Sequence, residues 1–169
     1  LVNGNIYYYT VTAIDEAGNE SATAPVVSVI PCAPAGLYEE NDLGIVYSGT
    51  WSRLWDSNCS GNYYMGSDTE GDTVSFIFEG TGIRWIGRPD TNGGIAEVYV
   101  DGVLAGTVDL RRPQTEYGII VWQSQVLPLE LHQITIKNIS NKHVNIDAFE
   151  VVVSSDTIAP AAPSGLMVL

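Results

Sequence analysis

Carboxylates and aromatic rings give this 169-residue chain most of its chemical scope: 20 Asp and Glu stand against 7 Lys and Arg, with four Trp and nine Tyr. Carboxylates can hold hard cations through oxygen. An indole offers a flat apolar face and one N–H donor, suited to stacking on a ring with a hydroxylated rim. Trp55 lies in Ser52-Arg-Leu-Trp-Asp-Ser-Asn58, a polar stretch without strand alternation. Nothing in that pattern demands burial, so Trp55 is a binding candidate, a lid over the domain edge being the other reading. Trp51 and Trp85 are expected in the core, because a large aromatic contributes most when buried. Trp85 stays among the binding candidates because Arg84 and Arg88 bracket it, with Asp90 following. An Arg pair beside an aromatic ring can hydrogen-bond hydroxyls or a carboxylate, or pair with surface acids. Glu97 and Tyr99 share a strand face opposite Ala96, Val98 and Val100. The loop Arg111-Arg-Pro-Gln-Thr-Glu-Tyr117 offers a rim, with Tyr117 and Trp122 as secondary platforms. Asp68-Thr-Glu70-Gly-Asp72 lacks the length and final Glu of a calcium loop and reads as a turn.

Other chemistries find little support. There is no Gly-x-Ser-x-Gly elbow, His-Glu-x-x-His pair or phosphate-binding glycine loop. Acid pairs drawn from 20 carboxylates say nothing of geometry, so no catalysis is expected. A net charge of −13 argues against nucleic acid and anionic membranes. No apolar run approaches the ~20 residues of a membrane span. Two histidines and two cysteines do not give zinc spacing. Cys32 and Cys59 either form one disulfide in an oxidising compartment or stay as buried thiols.

The elements that must position these residues are strands. Hydrophobic residues make up 45% of the chain, and 17 Gly and 8 Pro punctuate runs rich in Val, Ile, Tyr and Thr. No apolar pattern of helical period is sustained, so the fold class is all-β. Residues 1–30 alternate around Tyr7, Tyr9, Val11 and Ala13, turn at Asp15–Ser21 and return as a second strand. Residues 31–36 read as a linker. Between 37 and 154, strands are predicted at Gly44–Tyr47, Thr73–Phe78, Gly82–Ile86, Ile95–Val100, Val103–Leu110, Ile119–Gln123, Gln133–Asn138 and Val144–Val153. Asp101-Gly102 predicts a hairpin turn with positive φ at both positions. Eight or so short strands in this length suggest a two-sheet jelly-roll β-sandwich. Its first and last strands should run together, so Glu39, Glu40 and Asp147 can meet at one end. Residues 155–169 form a Pro-rich connector.

Tyr47-Ser-Gly-Thr-Trp51, Gly82-Ile-Arg-Trp-Ile-Gly87, Gly94-Ile-Ala-Glu-Val-Tyr-Val-Asp-Gly102 and Val144-Asn-Ile-Asp-Ala-Phe149 resemble the recurrent motifs of galactose-binding-like jelly-roll modules, the carbohydrate-binding type that bacteria append to secreted polysaccharide-active enzymes and surface proteins. The resemblance implies a structural Ca2+ held by an early acid and an Asp of a final Asn-x-Asp strand. Asn145-Ile-Asp147 matches that strand, whereas Tyr38-Glu-Glu40 lacks the usual one-residue gap between its acids. Leu1 six residues before Tyr7, with Ala-x-Asp-x-x-Gly-Asn-x-Ser, is similar to the last two strands of a fibronectin type III domain, which needs about seven. Asp156-Thr-Ile-Ala-Pro160 to Val168 resembles the start of a second such domain. These resemblances imply an internal piece of a secreted or cell-surface modular protein: a non-catalytic module binding polysaccharide or cell-surface glycan beside neighbouring modules. A structural or adhesive spacer with no glycan site is the alternative, and assembly through the terminal strands a third.

Overall fold

The computed structural model describes residues 6–29 and 33–154. Leu1, Cys32 and the 155–169 segment, on which several expectations rest, lie outside them. Among the described residues there is no α-helix; the chain is built from strands and one 3₁₀ turn.

β1 (Tyr7–Tyr9) and β2 (Val27–Val29) pair antiparallel as a hairpin. Asp15 organises its distal turn, accepting the amide N–H groups of Ala17 and Asn19, both at 2.9 Å. Twelve further strands follow: β3 (Gly36–Glu39), β4 (Ile45–Ser48), β5 (Ser52–Trp55), β6 (Tyr63–Ser67), β7 (Thr73–Gly80), β8 (Gly82–Gly87), β9 (Ile95–Val100), β10 (Val103–Asp109), β11 (Ile119–Gln123), β12 (Glu130–Asn138), β13 (Val144–Ile146) and β14 (Ala148–Val152). They form a five-stranded sheet in the order β10-β9-β12-β7-β4, a four-stranded sheet β11-β8-β14-β3 and a small sheet β13-β6-β5. Ladder pairing within them is antiparallel. The two-sheet jelly-roll sandwich expected from the sequence is present.

Alternation along the strands sets the packing. β7 buries Val74, Phe76 and Phe78 while Ser75 and Ile77 stay half-exposed, and β12 buries His132, Ile134 and Ile136. Facing them from the four-stranded sheet are Ile83 and Trp85 of β8 and Phe149 and Val151 of β14. Phe76 and Phe149 stack across the gap, ring centroids 5.5 Å apart, which joins the two sheets in one core. Full burial of each such ring contributes roughly 1.5–3 kcal/mol. The predicted hairpin turn forms with φ of 51° at Asp101 and 78° at Gly102.

Three details depart from the sequence pattern. Ser52–Trp55 is a strand rather than a loop, paired with β6 through Leu54↔Tyr64 and Trp55↔Tyr63. Ala33, read as linker, is buried and bridges Phe78 of β7. The single run Val144–Val153 is broken at Asp147, where the chain leaves the small sheet and joins the four-stranded one.

Candidate functional site

At that break the Asp147 amide donates to Ile86 O at 3.0 Å, and its carbonyl accepts the Glu40 amide at 3.1 Å. The end of β3 is thereby fixed beside the start of β14, and the three predicted acids converge. Ser60, in the 3₁₀ turn Ser60–Asn62, ties two of them together. Its amide donates to Asp147 Oδ1 at 3.0 Å and its hydroxyl to Glu39 Oε1 at 2.6 Å. Glu40, 1% exposed, accepts Arg53 Nε at 2.7 Å on Oε1. The second oxygen of each acid, Glu39 Oε2, Glu40 Oε2 and Asp147 Oδ2, is buried with no hydrogen-bond partner. Burial pushes the Asp147 carboxyl up to about 6, and Glu39 and Glu40 add repulsion that the Ser60 amide does not offset. Orphaned buried carboxylate oxygens are costly unless something positive meets them. Among the described residues no three His, Cys, Asp or Glu side chains make a metal-holding group by themselves. A Ca2+ of six to eight oxygen ligands would therefore have to draw most of them from carbonyls and water around these acids.

Cys59, beside this cluster, carries a free buried thiol pushed up to about 12 by burial and then by Asp147. Asp72, of the 68–72 run, serves the turn expected there: its Oδ2 accepts the Ser67 hydroxyl and, at 2.8 Å, the Thr50 amide.

The second constellation is built on Arg88, just past β8. Its Nε meets Asp56 Oδ2 at 2.9 Å and its Nη1 meets Asp90 Oδ2 at 2.7 Å. The guanidinium lies 5.1 Å from the Tyr64 ring centroid and 5.5 Å from that of Tyr117. Asn145 locks the backbone beneath, Oδ1 accepting Arg88 N at 2.7 Å and Nδ2 donating to Arg88 O at 2.9 Å. Burial pushes the Asp56 carboxyl up, but bonds from Asn58 and Arg88 outweigh it and hold the group below its ordinary value. Arg88 is thus neutralised on two sides, leaving Tyr117 exposed on one flank. Trp55, 67% exposed, ends β5 immediately before Asp56. Trp55 shares its face of β5 with Arg53, whose guanidinium sits 3.8 Å over Tyr63, while Tyr64 points to the opposite face.

Other candidates are placed elsewhere. Trp85 is 0% exposed and donates to Asn145 O at 3.0 Å, so it is a core residue and not a platform; an indole this large contributes most when wholly buried. Arg84 pairs with Glu150 at 2.9 Å on a half-exposed surface, not with Arg88. Glu97 accepts the Tyr99 hydroxyl at 2.6 Å on the outer face of β9. Trp122 lies between the edges of the two main sheets. His132 is held at both ring nitrogens, Nδ1 by Asp101 at 2.7 Å and Nε2 by Pro128 O at 3.0 Å. Asp56, Ser60 and Tyr64 were absent from the sequence-based candidates. The only local trace of them is Asp56-x-Asn58, an Asx-turn signature.

No family profile matches the chain. It is 36% identical over 129 residues to the A type blood N-acetyl-alpha-D-galactosamine deacetylase of Flavonifractor plautii, covering 72% of this chain and 16% of that protein. It is 38% identical over 98 residues to the A type blood alpha-D-galactosamine galactosaminidase of the same organism, covering 58% and 9%. The chain therefore spans less than a fifth of the curated relatives it matches. Among solved structures it is similar to a family 35 carbohydrate binding module from Clostridium thermocellum, with TM-score 0.53, 14% identity, and coverage of 70% of this chain and 98% of that one. It is also similar to part of the catalytic-domain structure of a GH87 alpha-1,3-glucanase in complex with nigerose, with TM-score 0.50, 15% identity, and coverage of 79% and 30%. At these identities the likeness establishes the fold alone: a jelly-roll β-sandwich that occurs both as a separate module and as one part of a larger chain.

Proposed function

We propose that this domain is a non-catalytic glycan-binding module of an extracellular, modular, carbohydrate-active protein. One observation carries this reading. Overlapping stretches of the sequence recur as a small part of two proteins named for different reactions, a deacetylation and a glycosidic cleavage. A segment shared by proteins of different chemistry supports recruitment to a shared class of substrate over either reaction itself. The jelly-roll fold and the sites agree with it. No helix among the described residues is long and apolar enough to cross a membrane.

The binding surface is assigned to the flanks of the Arg88 hub. Tyr117 provides an exposed ring beside a rigid polar floor of Asp56, Asp90 and Arg88, and Trp55 offers a second exposed ring on the opposite face of β5. Because Arg88 already satisfies two carboxylates, a neutral sugar suits this surface better than a uronate. Glu39, Glu40 and Asp147 would hold a structural Ca2+, which neutralises their buried charge and pins the 56–62 segment through Ser60. Glycan-array binding followed by calorimetry tests the reading. Trp55→Ala and Tyr117→Ala should each weaken binding about 2–10-fold, the worth of one aromatic contact, with melting temperature unchanged. Wild-type protein that binds no glycan in calcium would sink the proposal and leave the spacer role.

A further inference from the structure

The sandwich is open along one side, between β10 at the edge of the five-stranded sheet and β11 at the edge of the four-stranded sheet. The opening is a groove of 590 Å³. Both strands that frame it are irregular where they face it. The register of β10 shifts between Leu104 and Gly106, and that of β11 between Ile120 and Trp122. Bulges at sheet edges re-aim side chains, and here a pair of them turns Trp122 into the gap. Gly106 provides the room, since a Cβ there would stand 3.0 Å from the indole nitrogen.

Trp122 differs from the other sheltered tryptophans. The indole N–H of Trp51 donates to Ser48 O and that of Trp85 to Asn145 O. That of Trp122 finds no acceptor among the described residues, and the side-chain carboxamides of Gln123 and Gln125, which line the groove beside it, make no hydrogen bond to described residues. Across the groove Val103 and Leu104 stand 69% and 53% exposed, an apolar strip facing a row of donors and acceptors. No Lys or Arg lines the groove. Its one carboxylate, Asp101, is already engaged by His132 and the Gln133 amide. An anionic sugar has nothing to pair with there, and a plain hexose leaves the apolar strip bare. An acetamido group satisfies both walls, its carbonyl accepting the indole N–H and its methyl covering Val103 and Leu104.

We propose that this groove, separate from the Arg88 flanks, is a second glycan subsite that takes an N-acetylated hexosamine residue. The proposal rests on the glycan-binding reading of the module but on a different surface. The test is an NMR titration of the whole 169-residue chain with N-acetylgalactosamine and N-acetylglucosamine, using galactose, glucose and galactosamine as controls. The Trp122 indole resonance, assigned by its loss in Trp122→Phe, should shift saturably in the ~mM range expected of a monosaccharide. It should respond at least about 5-fold more weakly to the sugars lacking the acetyl group, as loss of a buried methyl and a hydrogen bond requires. Gly106→Val should abolish the shift, while Trp55→Ala and Tyr117→Ala should leave it intact. A shift confined to the Arg88 flanks overturns the subsite while preserving the module's function. An equal response to galactose overturns the acetamido assignment. A shift of Trp122 that tracks protein concentration without sugar shows self-association along β10 and β11 and overturns it as well. No response anywhere to any glycan sinks both readings together.

Discussion

Asp147 is the residue on which most depends, because it is wholly buried, repelled by two neighbours and satisfied on one oxygen only. Its carboxyl titrates near 6 when folded, against an ordinary value of 3.8. Between those values the folded state binds a proton more tightly than the unfolded state. In calcium-free protein, stability therefore falls as pH rises from about 4 to about 6, by an amount on the order of 3 kcal/mol. Asp147→Asn should remove this slope, which urea denaturation of wild type and variant at pH 4.5 and pH 7 would show as a converging difference. Added Ca2+ should restore the wild type at pH 7, by ~2.7 kcal/mol at 100 times its dissociation constant, and leave Asp147→Asn unmoved. A wild type indifferent to calcium would remove the metal from this site. Asp147 was legible in the sequence through the Asn145-Ile-Asp147 strand, and so was the core position of Trp85, whereas Trp51 is only partly buried against that core. The Arg88 hub was not. Asp56 and Tyr64 come from a segment whose polar composition hides which way each side chain points, and only tertiary pairing decides it.

At the scale of elements, alternation made β7, β8, β9 and β12 readable, since each buries every second residue against one core. β5 and β6 escaped because the small sheet they form with β13 has no deep apolar face along Ser52–Trp55, which is at most half-buried throughout. The break between β13 and β14 escaped for the opposite reason. Val144 to Phe149 are all buried, so nothing in their hydrophobicity marks the change of sheet. The turns are under tighter control than their composition suggests. A Cβ on Gly93 would lie 2.1 Å from the Leu110 carbonyl oxygen, a backbone atom that cannot swing aside. The 90–94 loop is clamped there by bridges Asp90↔Arg111 and Gly93↔His143. Gly93→Ala should cost roughly 2–4 kcal/mol of stability, as overpacking against fixed backbone does. It should also loosen Arg88, whose partner Asp90 begins the loop. Thermal melts read the first effect, and a weaker response to glycan on the Arg88 flanks the second. Gly102→Ala, with open space around its Cβ but φ of +78°, is the milder comparison.

For the whole molecule, an acidic sandwich with shallow surfaces suits weak contacts repeated along a modular chain, where linked sites raise avidity without tighter single sites. The arrangement of its first and last strands has a mechanical side. β3 and β14 are neighbours, paired from Gly36↔Val151 to Glu39↔Ala148, so the chain enters and leaves the sandwich side by side. Tension passed along a tethered polypeptide would load these two strands like the halves of a zip, one rung at a time, rather than shearing all rungs at once. The zip opens from Gly36 and ends at Glu39, Glu40 and Asp147. A cation seated on those acids would act as the stop at its closed end. Single-molecule pulling on residues 33–154 embedded between handles should then show low unfolding forces in chelator and a distinct rise in calcium, with Asp147→Asn fixed at the low value. A force independent of calcium would mean that the stop is absent. A module that yields easily until calcium is present would be a compliant link in calcium-poor surroundings and a stiffer one where calcium abounds.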